Sequence, residues 1–232
     1  MSGHNKWSGI KHRKEAQDTK RSKVFTRIAK IIAVAVQNGG SDVITNNALR
    51  IAIDQARKTN MPKDNIDRAI KRGSGTDSAR IEEVVYEAMG PGGVAMMIAC
   101  ATDNTNRTLT EIKTILKKNN GKFVPSGSVA FQFDYVGYIV TASQDVDTAE
   151  MTAIDAGADD VFVEDHSVII ITKPQELHAV LSHITDDVTE AKLVYNPTQT
   201  IQLSENDKGA YKKLYDLIDN LDDVVEIFDN VA

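Results

Sequence analysis

The first thirty residues concentrate side chains that can bind a polyanion. Ammonium and guanidinium groups neutralise phosphates and release their counterions, and an exposed Trp ring can stack on an unpaired base. Nine Lys and Arg residues and a single Trp fall within these positions. The residues of this segment that could contact nucleic acid are Lys6, Trp7, Lys11, His12, Arg13, Lys14, Lys20, Arg21 and Lys23. For Trp7 a second interpretation is open, in which the ring packs this segment onto the helices that follow.

A second group of cations recurs at helical spacing near residue 70. Arg68, Lys71 and Arg72 stand at positions i, i+3 and i+4, roughly opposite an apolar stripe within Ile66–Ile70. Lys63, in the first turn of the same predicted helix, belongs to the same candidate set. These side chains predict a second phosphate-binding face, and the alternative is an ordinary solvated helix face.

The charge of the chain is divided sharply between its two ends. The 232 residues carry a net charge of −6, but residues 1–75 hold 16 cations and six acids, whereas residues 76–232 hold 11 cations and 27 acids. The first segment is therefore at +10 and the second at −16. Such asymmetry suggests that one end meets a polyanion and the other does not, although two solvated surfaces would also account for it.

The sequence contains no recognisable catalytic or metal-binding constellation. Gly90-Pro91-Gly92-Gly93 is too short for a phosphate loop and predicts a turn with positive φ angles. The lone Cys100 lies in an apolar run and is expected in a core. His178 and His183 are five residues apart, which does not place both on one helix face. We therefore expect neither an enzyme nor a cofactor, metal or small-molecule substrate.

The composition is that of a globular protein without a membrane-spanning segment. An apolar fraction of 41% with 26% charged residues is ordinary for a globular protein. The longest apolar runs are far too short to cross a membrane, and the first residues lack the apolar stretch of a secretory leader. The expected location is the cytoplasm, without a membrane partner.

The segment Asp103–Thr108 joins a predicted strand to a predicted helix and is crowded with polar side chains. Asn104 or Thr105 could cap the helix, which is the favoured interpretation. In the alternative, the segment is an exposed loop in which Arg107 contacts a partner.

The elements that must position these residues fall into two groups. Helices are predicted over about 18–38, 47–59 and 62–73, and Gly73–Thr76 resembles a linker. The rest of the chain alternates predicted strands and helices. Strands are predicted at 84–89 and 94–101, followed by a helix at 107–119 and a strand at 127–133. A self-contained run comes next: strand 136–142, helix 147–156, strand 160–164, strand 167–172, helix 174–184 and strand 189–195. The chain ends with strand 199–204, helix 206–220 and strand 224–228.

This order predicts an α+β multidomain protein with a discontinuous middle domain. Residues 1–75 form a basic helical domain, a helical bundle. Residues 135–196 have the βαββαβ order of a ferredoxin-like unit. The tail lacks a complete set of partners, so we expect it to finish the sheet begun near residue 82. The middle domain then comprises residues 76–134 and 197–232, and the third, ferredoxin-like domain is inserted in the second.

In nearly its whole length the chain resembles the YebC family. The segments that carry the resemblance are Gly3-His4-Asn5-Lys6-Trp7, Ile10-Lys11-His12-Arg13-Lys14, Asp18 with Lys20-Arg21-Ser22-Lys23, Met61-Pro62-Lys63-Asp64-Asn65-Ile66, Tyr86-Glu87, Gly90-Pro91-Gly92-Gly93-Val94, Thr102-Asp103-Asn104, Asn106-Arg107-Thr108 and Gly127-Ser128-Val129. The chain departs from the usual pattern at Ala88-Met89 and at Phe123-Val124-Pro125. The resemblance implies a helical first domain and two α+β domains, the third inserted in the second.

The resemblance also implies two possible partners. Some members of this family are described as transcriptional regulators that bind promoter DNA. Others, including a mitochondrial translational activator, act on the ribosome, notably where proline runs stall synthesis. The cations described above suit the phosphates of DNA and of ribosomal RNA equally. A third hypothesis is a protein–protein adaptor that works through its acidic domain, and the oligomeric state is left open.

Overall fold

The computed structural model describes residues 21–75, 80–142, 146–164, 167–184 and 187–232. In these ranges the chain is a mixed α+β protein with seven α-helices and two four-stranded antiparallel sheets. The described residues divide into two compact units, one formed by Asp134–Tyr195 and the other by the chain on either side of it.

Three helices open the described chain: α1 (Arg21–Gly39), α2 (Asn47–Lys58) and α3 (Lys63–Ser74). Ile32 and Leu49 are fully buried at their shared core, together with Met61 and Ile66. Asn46 closes the turn between α1 and α2. Its side chain accepts from Leu49 N at 3.0 Å, which caps α2, and donates to the carbonyl oxygens of Ala35 and Gly40. The three predicted helices are confirmed to within one residue at every end that the structure describes, and the predicted residues 18–20 lie outside the described ranges.

The next elements are β1 (Glu82–Met89), β2 (Ala95–Thr102), α4 (Thr105–Lys118) and β3 (Lys122–Val124). β1 pairs antiparallel with β2 and with β3. The turn between β1 and β2 has positive φ at Gly92 (73°) and Gly93 (82°), as the four-residue motif predicted. Cys100 is buried in β2, and burial raises the pKa of its thiol to about 12, so the expected core position is confirmed.

The unit Asp134–Tyr195 is built from β4 (Phe133–Ala142), α5 (Val146–Asp155), β5 (Asp160–Glu164), β6 (Ser167–Thr172), α6 (Leu177–His183) and β7 (Asp187–Pro197). Its strands lie in the order β5-β6-β4-β7, and β6 pairs antiparallel with both β4 and β5. The predicted helix over 174–184 is a 3₁₀ turn at Pro174–Glu176 followed by α6.

The tail returns to the first sheet with α7 (Glu205–Asp219) and β8 (Val224–Asp229). β8 pairs antiparallel with β2, so the first sheet has the order β3-β1-β2-β8. Residues of α4 and α7 pack on one face of this sheet, where Ile112, Leu116, Leu214 and Ile218 are fully buried. On the opposite face, Ala33 and Val34 of α1 contact Ala101.

Two predicted strands are wrong. Residues 127–132 of the predicted strand 127–133 are not a strand, because backbone N–H groups of this segment donate to the carboxylate of Glu87 instead of to a neighbouring strand. The chain forms a 3₁₀ turn at Ala130–Gln132, and Phe133 is already the first residue of β4. The strand that pairs with β1 lies earlier, at Lys122–Val124. Residues 199–204 contribute only one parallel bridge, from Ile201 to Val231.

Candidate nucleic-acid interface

Helix α3 presents its cations outward because its opposite face is packed tightly on α1. Ile66, Ala69 and Gly73 are buried, as the apolar stripe predicted. At Gly73 a Cβ atom would lie 2.5 Å from the carbonyl oxygen of Ala33 and 2.7 Å from Cβ of Val36. Only a residue without a side chain allows this approach, so Gly73 fixes the distance between α3 and α1.

The structure brings four of the candidate cations together on α3. Lys63, Arg68, Lys71 and Arg72 are all exposed. Arg68 donates through Nε to the carbonyl oxygen of Asp64 at 3.1 Å and through its guanidinium to the side chain of Asn65, which orients it along the helix. The guanidinium of Arg72 donates to Asp103 at 3.3 Å. The arrangement can present positive charge to a row of phosphates.

The cations of α1 point in a different direction, towards the end of α7. Lys23 donates to the carbonyl oxygen of Asn220 at 2.8 Å and to the side-chain oxygen of the same residue. Arg27 forms an ion pair with Asp219 at 2.7 Å and also donates to its carbonyl oxygen. Lys30 donates to the carbonyl oxygen of Asp222 at 2.8 Å and forms an ion pair with Asp223. We call these contacts the helix-end junction; its residues are Lys23, Arg27, Lys30, Asp219, Asn220, Asp222 and Asp223.

The helix-end junction has a simple physical basis. The last carbonyl groups of an α-helix lack partners within the helix, and its carboxyl end carries partial negative charge, so cations bind there favourably. Lys23 is spaced four residues from Arg27 and seven from Lys30, which places all three on one side of α1. Lys23, predicted to contact nucleic acid, therefore binds the carboxyl end of α7 within its own chain. The partner lies 197 residues away, so no local pattern could have indicated it.

Asp223 connects α1 to the sheet. Its buried carboxylate accepts from Thr102 at 2.9 Å, from Thr108 at 2.6 Å and from Arg107 at 2.8 Å, in addition to its ion pair with Lys30. Burial by itself would raise the pKa of this carboxyl, but the hydrogen bonds from Lys30 and the three other donors hold that pKa well below its ordinary value. Nothing in the sequence around Asp223 indicated this role, because its four donors lie at least 115 residues away in the chain.

The polar segment at the start of α4 supplies the remaining contacts of Asp223. Asn104 is the cap of α4, since its side chain accepts from Arg107 N at 3.0 Å, and the capping interpretation is confirmed. The guanidinium of Arg107 lies 3.0 Å from Asp103 and 2.8 Å from Asp223. Asp103 also accepts from Arg72, so α3 is connected to the same network. The segment thus serves to join the helices to the sheet.

Other predicted contact residues lie outside the described part of the chain. They are Lys6, Trp7, Lys11, His12, Arg13, Lys14 and Lys20. Arg21 begins α1, but its side chain is not described. Within the described ranges, no three His, Cys, Asp or Glu side chains are grouped so that they could hold a metal ion. None of the helices in the same ranges is both long and apolar enough to cross a membrane.

Two family models and several known proteins match the chain. Residues 5–76 match the TACO1/YebC protein N-terminal domain, and residues 81–231 match the TACO1/YebC second and third domain. A probable transcriptional regulatory protein of Kosmotoga olearia is 45% identical over 99% of this chain and 94% of its own length. A protein of the same name from Thermotoga maritima is 42% identical over 99% of this chain and 93% of its own length. The crystal structure of a conserved hypothetical protein from Aquifex aeolicus superposes with a TM-score of 0.81 at 36% identity, covering 97% of this chain and 96% of that one.

Proposed function

The chain belongs to the TACO1/YebC family, and from this membership we propose that it is a nucleic-acid-binding regulator of gene expression that binds DNA through its basic N-terminal helical domain. Relatives that match over nearly their full length carry the name probable transcriptional regulatory protein, which supports a regulatory role.

The observation that carries this proposal is the exposed cationic face of α3. The side chains of Lys63 and Lys71 form no ion pair or hydrogen bond with any residue in the described ranges, and the side chain of Arg68 bonds only within its own helix there. Unpaired ammonium groups attract phosphates because releasing the condensed counterions of a nucleic acid is favourable. The packing of Gly73 on α1 holds this face in a fixed orientation.

We further propose the three-domain arrangement of residues 1–75, residues 76–134 with 197–232, and residues 135–196. The inserted unit is ferredoxin-like on this proposal. Its βαββαβ element order and its strand order β5-β6-β4-β7 are those of a split βαβ fold, which supports the assignment. The pairing of β8 with β2 supports a middle domain assembled from both sides of the insertion.

The test compares two pairs of lysines in the full chain. Lys63→Gln with Lys71→Gln removes two charges from α3, and Lys212→Gln with Lys213→Gln removes two charges from the exposed side of α7 as the matched control. The probe is a labelled DNA duplex, titrated at several salt concentrations. We expect the α3 pair to weaken binding and to reduce the log–log salt slope by about 1.8, because each phosphate contact contributes about 0.9. The control pair should leave both values unchanged.

The same variants, measured with purified ribosomes at one salt concentration, separate the alternatives. Tighter binding of the unaltered protein to ribosomes than to the duplex, weakened by the α3 pair, would assign the cationic face to ribosomal RNA and the protein to translation. If the α3 pair binds both polyanions as tightly as the control pair does, the cationic face of α3 is not the binding site. Failure of the unaltered protein to bind either polyanion would favour the adaptor hypothesis.

A further inference from the structure

A second cationic surface lies in the otherwise acidic part of the chain. Residues 112–133 contain four lysines and no acid, although residues 76–232 as a whole are at −16. All four lysines, Lys113, Lys117, Lys118 and Lys122, are exposed. The side chains of Lys117, Lys118 and Lys122 form no ion pair or hydrogen bond with any residue that the structure describes. Their charge is therefore available to a partner.

Three of these lysines lie on β3, the edge strand of the first sheet, and on α4, which packs against it. Lys113 and Lys117 are one turn apart on α4, and Nζ of Lys113 lies 4.6 Å from the ring centroid of Phe123 in β3. Lys122 immediately precedes Phe123. In the antiparallel pairing of β1 with β3, Lys122 lies opposite Met89 and Val124 lies opposite Glu87. Alternate residues of a strand point to the same face, so Lys122 and Glu87 share a face of the sheet.

Glu87 holds the loop that follows β3. Its buried carboxylate accepts from the backbone N–H groups of Gly127 at 2.6 Å, Val129 at 2.7 Å and Ala130 at 3.1 Å. Burial would raise the pKa of Glu87, but these backbone donors hold it below its ordinary value, so the group is charged at neutral pH. The other end of the loop is fixed as well, because Thr198 N donates to the carbonyl oxygen of Gln132 at 2.8 Å.

The loop that is held in this way exposes an aromatic ring. Phe131 lies in the 3₁₀ turn between the two anchored ends, and 76% of its surface is accessible to solvent. A large apolar side chain displayed on fixed backbone is well suited to contact a partner, since little conformational entropy is lost when it binds. Exposed lysines and an exposed aromatic ring on consecutive elements, α4, β3 and the loop that follows β3, match the features by which proteins hold unpaired nucleic acid strands.

We propose that Lys113, Lys117, Lys122 and Phe131, together the edge surface, bind an unpaired segment of nucleic acid. The lysines neutralise its phosphates and the ring of Phe131 stacks on a base. A duplex would not serve as well, because its bases are already stacked on one another. A protein partner would have to supply acids to the lysines, whereas every nucleic acid strand carries phosphates at regular spacing. This inference rests on the proposed function in taking nucleic acid as the partner, but it assigns a site outside the helical domain.

The experiment measures binding of the full chain to a labelled, unstructured single-stranded RNA of uridines and to the same length of DNA duplex. Lys117→Gln with Lys122→Gln removes two charges from the edge surface, and Lys212→Gln with Lys213→Gln is the control of equal charge. Phe131→Ala removes the ring, and Phe131→Trp retains a ring that can stack. Thermal melting establishes that each variant is folded.

We expect the edge pair to bind the single strand more weakly and to reduce the log–log salt slope by about 1.4, at about 0.7 for each phosphate. Phe131→Ala should weaken binding of the single strand about fivefold or more without changing that slope, because stacking does not release counterions. Phe131→Trp should bind like the unaltered protein. Binding of the duplex should change little in all three.

The inference is overturned if the edge pair and Phe131→Ala bind the single strand as tightly as the control pair does. If the α3 pair described above still weakens binding in that case, the proposed function stands and the edge surface alone is rejected. If the unaltered protein binds neither RNA nor duplex, both are rejected. Loss of binding to another protein on Phe131→Ala, with RNA binding intact, would assign the loop to a protein partner and also overturn the inference.

Discussion

Among single residues, Asp223 has the most consequential environment. A buried carboxylate is unfavourable unless it is paired and its oxygens are hydrogen-bonded. Asp223 meets this requirement with two cations and two hydroxyl groups, which come from α1, from the end of β2 and from α4. One side chain thereby connects α1 to the sheet and to α4. We expect its charge, and not merely its shape, to stabilise the fold.

We predict that Asp223→Asn lowers the free energy of unfolding by roughly 2–3 kcal/mol at pH 7, since hydrogen bonds to a charged group contribute about 1.5–3 kcal/mol. The folded pKa of Asp223 is lowered, so its contribution is complete above the unfolded pKa of about 3.9 and is lost as the pH falls below that value. Urea unfolding at pH 7, 4.5 and 3 measures this. The difference between the unaltered protein and the variant should shrink towards pH 3.

The neighbouring carboxylate provides the control. Asp222 is exposed, and its side chain is not part of the network. Asp222→Asn should change the free energy of unfolding by no more than about 0.5 kcal/mol. A difference for Asp223→Asn that is the same at all three pH values would contradict the role assigned to its charge.

Among the elements, α1 has two separate tasks. One side packs with α2 and α3 in the helical core, and the other contributes Ala33 and Val34 to contacts with the sheet. The cations on α1 accordingly bind the end of α7, while those on α3 face solvent. Two helices of similar charge thus present their cations to different surroundings, because α7 lies opposite the cations of α1 and solvent lies opposite those of α3.

We predict opposite effects of alanine at two helical glycines. At Gly73 a methyl group would meet the backbone of Ala33 at 2.5 Å, so Gly73→Ala should destabilise the protein by about 1–3 kcal/mol through overpacking. At Gly209, within α7, nothing lies within 4 Å of the added atom. Gly209→Ala should therefore stabilise by about 0.5–1 kcal/mol through helix propensity. Chemical denaturation measures both, and equal effects would show that α3 does not approach α1 closely.

We also predict that the cations of α1 contribute to the stability of the fold, whereas those of α3 contribute to the binding of nucleic acid. Arg27→Gln removes a partly buried ion pair and should lower the free energy of unfolding by about 1–2 kcal/mol while leaving the salt slope of nucleic acid binding unchanged. Lys71→Gln should instead reduce the salt slope of nucleic acid binding and leave the free energy of unfolding unchanged. Each variant serves as the control for the other in melting and in titration against salt. Loss of binding in folded Arg27→Gln would contradict the assignment of α1 to the helix-end junction.

At the scale of the whole molecule, the opposite charges of the two chain segments partly neutralise each other. Among the described residues, three ion pairs connect the basic segment with the acidic segment: Arg27 with Asp219, Lys30 with Asp223, and Arg72 with Asp103. The opposite charges of the two segments therefore hold parts of the fold together through ion pairs, in addition to setting the charge of the surface. Fewer of the 16 cations are left for a polyanion than the sequence suggested.

We predict that binding of the full chain to duplex DNA is electrostatic but limited in extent. If about five phosphates are neutralised, the affinity should fall with salt with a log–log slope of roughly −3 to −5. Titrations between low and moderate salt measure this slope. A slope near zero would exclude phosphate binding, and a slope near about −10 would mean that the cations of the helix-end junction also contact the nucleic acid.

The sequence alone determined the features that depend on local patterns. The helices α1 to α3 follow from the spacing of Ile28, Ile32, Leu49 and Ile66, because burial of an apolar stripe is encoded at helical periodicity. The Asn104 cap, the glycine turn before β2 and the exposed face of α3 also follow from neighbours in the chain. The family follows from motifs in nearly every segment.

Only the tertiary structure decided which polar groups meet across the chain. Lys23 and Asn220 are 197 residues apart, and Lys30 and Asp223 are 193 apart, so nothing local marks these contacts. Likewise, residues 127–130 do not form a strand, because their backbone N–H groups donate to Glu87. A buried carboxylate is unfavourable unless such donors are supplied. A pattern of charges predicts that phosphates could be bound, but folding determines which of those charges are already bound to the protein itself.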